Sequence, residues 1–251
     1  MKHTIIIPHR DRQLTLGLCL WSIARSAEFC DTDDYEVIVV DNGSTRAVPS
    51  GTNVRLLRDY EYMRYFNKCK LLNMGIEAAR GDVITFLDAD ALVGTHWMGN
   101  PDALLLDPSI TRLCYRVRCL GPADAERLAR EADRAALADA WFAAYNIHKL
   151  AHEGYGKPEH NGPMPGGTFG NSQFSMLRET LGDLRYDEAY EGAGFEDLEF
   201  IRRVYRTFGY NYKGVVVDDP LRAMFHFWSN RESDWGVPAL LQQNMKRYFS
   251  T

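Results

Sequence analysis

The sequence predicts an α/β fold, a mostly parallel central sheet flanked by helices. Three observations carry that prediction. Short apolar runs of the kind that form fully buried strands alternate with helical stripes from residue 4 to residue 90. Each run stops in turn or charged residues. Arg10, Asp41 and Asp88 each stand just beyond such a run. In open sheets of this kind ligands bind outside the carboxyl ends of the strands, so the three residues are expected to share one crevice.

The elements follow in chain order. Thr4 to Pro8 reads as a buried strand ended by a breaker, and Leu14 to Ala27 as a helix with Leu14, Leu18 and Trp21 on one stripe. Glu36 to Val40 is a second buried strand, stopped by Asp41-Asn42-Gly43-Ser44, and Val54 to Leu57 a third. Asn67 to Ala79 reads as a helix closed by Arg80 and Gly81, residues favoured at helix C-termini. Val83 to Leu87 is the next strand and runs into Asp88-Ala89-Asp90. Pro122 to Leu150 is Ala-rich and helical, with Asn146 a point of interruption. Glu153 to Asn171 breaks down into Gly, Pro, His and Asn and is expected to form a long lid-like loop. Phe195 to Phe208 is helical again; Val215 to Val217 and Met224 to Trp228 are short apolar runs.

Composition narrows the class. An apolar fraction of 45% excludes wholesale disorder. The formal charge of −5 gives no support to a nucleic-acid-coating protein, although a nucleic-acid acceptor is not excluded. No apolar run is long enough to span a bilayer, and the N-terminus lacks the pattern of a signal peptide. Five cysteines, an odd number without a Cys-x-x-Cys pair, fit a reducing cytoplasm better than a disulfide scaffold or a thiolate zinc site. Peripheral attachment to a membrane through a lipid acceptor stays open.

Two carboxylates one residue apart, leaving a buried strand, can hold a hard divalent cation such as Mn²⁺ or Mg²⁺ that bridges to phosphates. Asp88-Ala89-Asp90 has that form, although acidic pairs in solvated turns are common. Gly166-Gly167 lacks side chains and so lets backbone approach a ligand closely, or makes a plain turn. Glu196 and Asp197 open a helix, where the helix dipole alone favours acidic residues. Beside the aromatic Phe195 a carboxylate can also gain basicity by desolvation, which suits proton abstraction from a hydroxyl. Lys68, Lys70 and Arg64 either neutralise a diphosphate or form a solvated face; Trp228 and Trp235 either stack on a sugar or pack in the core.

Four ordered motifs then carry a resemblance. Ile5-Ile6-Ile7-Pro8-His9-Arg10-Asp11-Arg12, Val39-Val40-Asp41-Asn42-Gly43-Ser44, Asn73-Met74-Gly75-Ile76-Glu77-Ala78-Ala79-Arg80-Gly81-Asp82 and Asp88-Ala89-Asp90 resemble the family 2 glycosyltransferases over residues 4–94. The resemblance implies the GT-A fold, a nucleotide-sugar site and a metal-binding Asp-x-Asp motif. It implies that Arg10 and Asp41 contact the nucleoside, that Asp88 faces ribose or metal, and that Asp90 is a direct metal ligand. The nucleotide-sugar set it implies is Pro8, Arg10, Asp41, Lys70, Asn73, Asp88, Ala89, Gly166 and Gly167.

A second resemblance covers residues 165–231. Pro165-Gly166-Gly167-Thr168, Gln173-Phe174 and Tyr190-Glu191-Gly192-Ala193-Gly194-Phe195-Glu196-Asp197 are similar to the C-terminal part of β1,4-galactosyltransferases and polypeptide N-acetylgalactosaminyltransferases. It implies that Asp197 is the catalytic base, with Glu196 beside it, and that His226 is a metal ligand. An Asp where the retaining enzymes carry Asn implies inversion. The chain departs from the pattern at Ala193-Gly194-Phe195, which lacks the Trp that stacks on the acceptor sugar in the galactosyltransferases, and at His9, which replaces a small polar residue.

Together these readings give one GT-A domain over residues 1–251, with a nucleotide-sugar-binding half (1–94) and an acceptor-binding, catalytic half (95–251). The expected activity is metal-dependent inverting transfer from a nucleotide sugar, with a UDP-sugar favoured by the resemblance, to a carbohydrate, glycolipid or other hydroxyl acceptor. A sugar-nucleotide-forming nucleotidyltransferase is the rival enzyme, but Pro8-His9-Arg10-Asp11-Arg12 lacks the Gly-rich phosphate loop it needs. A catalytically silent sugar-nucleotide-binding module would have no need of Asp88, Asp90, Asp197 and His226 together.

Overall fold

A computed structural model of the chain describes residues 1–61, 65–115, 117–144, 173–192, 194–217, 219–227 and 238–250. The predicted lid and the Gly166-Gly167 pair lie outside the described residues, as do Arg64, Trp228 and Trp235.

The first half alternates as expected: β1 (His3–His9), α1 (Gln13–Phe29), β2 (Tyr35–Asp41), β3 (Val54–Arg58), α2 (Lys68–Ala78) and β4 (Val83–Phe86). Four strands pair in parallel in the order β3-β2-β1-β4, with β1 and β2 at the centre and Ile5 opposite Val37 on one side and Thr85 on the other. Because side chains alternate across a strand, Ile5, Ile7, Val37 and Val39 face one apolar layer with α1 residues Leu16, Cys19 and Ile23. Ile6, Ile38 and Val40 face the other, against Leu71, Leu72 and Ile76 of α2. Burial on both faces is why these strands read as unbroken apolar runs.

The second half adds β5 (Ala91–Val93), α3 (Pro101–Leu106), β6 (Arg112–Tyr115), β7 (Val117–Leu120), α4 (Pro122–Arg130), α5 (Arg134–Ala143), β8 (Phe174–Leu177), α6 (Arg178–Leu181), α7 (Glu196–Phe208), β9 (Gly214–Val217), β10 (Met224–Phe227) and α8 (Pro238–Ser250). The main sheet has the order β3-β2-β1-β4-β8-β6-β9, with β8 antiparallel to both its neighbours. A small second sheet has the order β5-β10-β7, with β10 antiparallel to β5 and parallel to β7.

Three local readings change. Pro8 does not end its strand: β4 leaves β1 after Ile6 opposite Phe86, so the missing Pro8 amide faces a side without a partner strand. The described part of the helix expected over Pro122 to Leu150 is two helices, α4 and α5, with a break at residues 131–133; Asn146 lies outside the described residues. Asp133 caps α5 by accepting from the Ala136 amide at 3.0 Å, and Arg134 turns back to the carbonyls of Leu128 and Ala129 at 3.2 and 3.0 Å. Ala79 is the C-cap of α2, and Gly81 does not close that helix. A Cβ there would lie 2.5 Å from the Thr4 amide nitrogen, so glycine is required by close approach to β1.

Among the described residues no helix is long and apolar enough to cross a membrane. Cys19, Cys30, Cys69 and Cys114 are free thiols.

Candidate functional site

The carboxyl ends of β1, β2, β3 and β4 line up along one edge of the main sheet and present His9-Arg10, Asp41, Asp59 and Asp88. Two groups of side chains form there.

The first surrounds the Asp41 turn. Asp41 is 1% exposed and takes a hydrogen bond from His9 Nδ1 at 3.0 Å, another from the Ser44 hydroxyl, and a third from the Ser44 amide at 3.3 Å. The Arg12 amide donates to His9 Nε2 at 3.2 Å, which leaves the proton on Nδ1. Burial, opposed by Asp41, lowers the His9 pKa, in keeping with that neutral ring. Arg10 Nη1 reaches Asn42 Oδ1 at 3.4 Å. Asn42 in turn donates to Asp59 at 3.0 Å, and Lys70 Nζ lies 3.0 Å from Asp59 and 2.6 Å from Glu61. Lys70 is therefore held by carboxylates at the end of β3.

The second group forms at the end of β4. Asp88, Asp90 and His226 offer ligand atoms that all lie within 4.8 Å of one another. His226 Nε2 is 2.8 Å from Asp90 Oδ1 and 3.7 Å from Asp88 Oδ2. The small sheet makes this possible, because β10 sets His226 opposite Ala91, the residue after Asp90. Two carboxylates and one imidazole at this spacing form an oxygen-rich donor set that suits Mn²⁺ or Mg²⁺. Arg12 Nη1 stands 4.0 Å from Asp90, and Gln173 Nε2 donates to Asp88 Oδ2 at 3.3 Å.

Lys68 joins this cluster to α7. Its Nζ lies 3.1 Å from Asp88 Oδ1 and 3.1 Å from Asp197 Oδ2. Glu196 and Asp197 occupy the first turn of α7, entered through Phe195 at φ 71°. A bulky residue in that left-handed conformation is strained by about 1–3 kcal/mol, and such strain gathers at functional sites. Tyr248 and Phe249 of α8 hold the Phe195 ring, with centroids 5.4 and 6.3 Å away. Burial raises the Asp197 pKa against the opposing charge of Lys68; burial and then Asp197 raise that of Glu196. Among the described residues no donor reaches Asp197 Oδ1 or Glu196 Oε2.

The structure thus brings Asp88, Asp90, His226, Glu196 and Asp197 into one neighbourhood, with Arg10, Asp41 and Lys70 along the adjoining strand ends. Pro8 and Ala89 are backbone elements of the same edge. Asn73 is committed elsewhere: its amide nitrogen donates to the Tyr186 carbonyl at 3.0 Å and to Glu188 at 2.8 Å, and its oxygen accepts from the Tyr186 amide at 2.8 Å. It braces the segment that leads to α7. The sequence did not single out Asp59 or Gln173, and it offered Lys68 only a diphosphate or a solvated face, whereas Lys68 is buried between Asp88 and Asp197. For Lys68 a signal existed, since a cation at the first position of a helix opposes the helix dipole and needs a compensating partner.

Residues 4–100 match the sequence model of Glycosyl transferase family 2. No curated protein matches the chain in a sequence search. Among solved structures, residues 1–349 of S. aureus TarS in complex with UDP-GlcNAc are similar with a TM-score of 0.60 at 16% identity, over 99% of this chain and 65% of that one. The mannosyltransferase PcManGT from Pyrobaculum calidifontis in complex with GDP-Man and Mn²⁺ gives 0.58 at 19%, over 99% and 63%. Glucosyl-3-phosphoglycerate synthase from Mycobacterium tuberculosis with Mn²⁺, UDP-glucose and phosphoglyceric acid gives 0.55 at 17%, over 98% and 80%. The chain spans 43% of a longer TarS chain. Its fold is the GT-A fold of these glycosyltransferases, and its first strands, from residue 4 to residue 100, carry the sequence pattern of Glycosyl transferase family 2.

Proposed function

We propose that the chain is a metal-dependent, inverting glycosyltransferase that moves a sugar from a nucleotide sugar, a UDP-sugar in the first place, to an acceptor hydroxyl. The observation that carries this reading is the joining of the Asp88-Asp90-His226 cluster, through Lys68, to the buried Asp197 at the start of α7. Asp90 and His226, with Asp88, are the residues that hold Mn²⁺ or Mg²⁺. When bound, that ion supplies Lewis-acid stabilisation of the departing nucleoside diphosphate.

The remaining chemistry falls to side chains. Asp197 accepts the acceptor's proton, and its burial strengthens it as a base. Glu196 orients substrate hydroxyls beside it. An oxygen freed of its proton at Asp197 attacks the anomeric carbon in line, which inverts that centre. The resemblance of the C-terminal part to β1,4-galactosyltransferases supports the base role of Asp197 and the ligand role of His226. Arg10 and the Asp41 turn take the nucleoside, with Lys70 near them at the end of β3, and the donor sugar is the role assigned to Gly166-Gly167. The nucleotide-sugar half is residues 1–94 and the acceptor half residues 95–251, with a carbohydrate, glycolipid or other hydroxyl as acceptor and the cytoplasm as compartment.

A thermal-shift screen of UDP-, GDP-, CMP- and dTDP-sugars, with and without Mn²⁺, tests the reading. A ligand that binds only the folded state raises the melting temperature by mass action. One donor class should raise it, and only with the ion present. No response to any nucleotide sugar would contradict the reading.

A further inference from the structure

Lys68 is placed against two electrostatic rules. It is the first residue of α2, where the positive end of the helix dipole opposes a cation, and it is only 3% exposed. A buried ammonium is costly unless paired. Burial works to lower its pKa, but Asp197, Asp88 and Glu196 prevail and raise it, so it stays charged. Its two ion pairs are equal in length, 3.1 Å to Asp88 Oδ1 and 3.1 Å to Asp197 Oδ2. One of these carboxylates belongs to the cation cluster. The other belongs to the first turn of α7.

We infer that Lys68 is an internal counter-cation that couples the cation cluster to Asp197. It divides its charge between Asp88 and Asp197 when Asp88 holds no divalent ion, and it is shifted onto Asp197 when one binds. The inference rests on the proposed role of Asp88 as a metal ligand. By linkage the coupling is reciprocal: what strengthens the Lys68–Asp197 pair must favour the ion at Asp88, and what removes Asp197 must disfavour it. Lys68 is thus a positioning residue, which fixes the base as metal arrives and makes the two halves of the site ready together.

The test needs no sugar transfer. Nucleotide-free protein is titrated with MnCl₂ by calorimetry, with folding of each variant checked by circular dichroism. Lys68→Met removes a like charge beside the ion and should tighten Mn²⁺ binding roughly ten- to a hundredfold. Asp197→Asn leaves Lys68 with Asp88 as its sole carboxylate partner of the two and should weaken binding by roughly threefold or more. In the double variant the Asp197→Asn effect should vanish, while Lys68→Arg should stay near the wild type. Unchanged Mn²⁺ affinity in both Lys68→Met and Asp197→Asn would overturn the inference while leaving the metal site standing. If Lys68→Met does not fold, Asp197→Asn decides alone: binding as in the wild type rejects the coupling. Wild-type protein that takes no Mn²⁺, and still none in Lys68→Met, would overturn the metal assignment and this inference with it.

Discussion

His226 Nε2 lies 2.8 Å from Asp90 Oδ1, and the main chain carries the same contact, because the Phe227 amide donates to the Asp90 carbonyl at 2.8 Å. A side chain from the last described strand is thereby fixed beside a carboxylate from the first half of the chain. The register of β10 on β5 sets the distance, so the donor set is built before any ligand arrives.

Nucleoside diphosphate binding should therefore depend on the cluster. Calorimetry with Mn²⁺ should give binding that weakens by about tenfold or more, ~1.4 kcal/mol, in Asp90→Ala and on addition of EDTA. Undiminished binding in both would remove the metal from the account.

Glu196 should make stability depend on pH. Burial and then Asp197 raise its carboxyl from 4.5 to about 7 in the folded chain. The folded state prefers the protonated form, so the stabilisation is full below about 4.5 and is lost as pH rises through about 7. Glu196→Gln removes that loss and should be more stable than the wild type at pH 8 by roughly 1–3 kcal/mol, with no gain at pH 4. Urea unfolding at the two pH values measures it; an equal shift at both would contradict a buried, protonated Glu196.

His3 acts with the opposite sign. Its ring is buried, bonded to Thr85 at 2.7 Å, and burial with the nearby Lys2 lowers its pKa from 6.5 to about 3. Its contribution is full above 6.5 and is lost as pH falls through about 3. The slope of stability against pH across that window should flatten in His3→Leu, by on the order of 4 kcal/mol in total. Identical slopes in variant and wild type would show that His3 takes up its proton without unfolding cost.

Gly81 should be intolerant of a side chain. A Cβ there meets the Thr4 amide nitrogen at 2.5 Å and the His3 carbonyl carbon at 2.7 Å, backbone atoms of the central strand that cannot rotate away. Gly81→Ala should cost about 1–3 kcal/mol in denaturant unfolding, as other overpacked sites do. A variant as stable as the wild type would mean that the turn yields.

What could be read from the sequence was what local period and punctuation encode. Ile5-Ile6-Ile7, Val37-Ile38-Val39-Val40 and Val83-Ile84-Thr85-Phe86 are buried on both faces and announce themselves as strands, and Arg10, Asp41 and Asp88 follow from where those strands stop. The four-residue strands β6 and β8 carry too short a pattern, and they are stabilised by neighbours distant in sequence. Asp133 interrupts an Ala-rich run whose propensity alone favours one helix, since its capping bond competes with continuation. Asp197 and His226 could be picked out by resemblance. The partnership of Lys68 with Asp88 and Asp197 could not, because it exists only once α2, β4 and α7 meet.

The most direct measurement is made on Asp197→Asn, which keeps the size of the side chain but cannot take the acceptor's proton. With the donor identified by thermal shift, donor binding by calorimetry should stay within a few-fold of the wild type, apart from the Mn²⁺ coupling through Lys68. Sugar transfer should fall by roughly two to four orders of magnitude, the scale of losing a general base. The wild-type product should carry the inverted anomeric configuration. Near-normal transfer by Asp197→Asn, or retention of configuration in the product, would contradict the account.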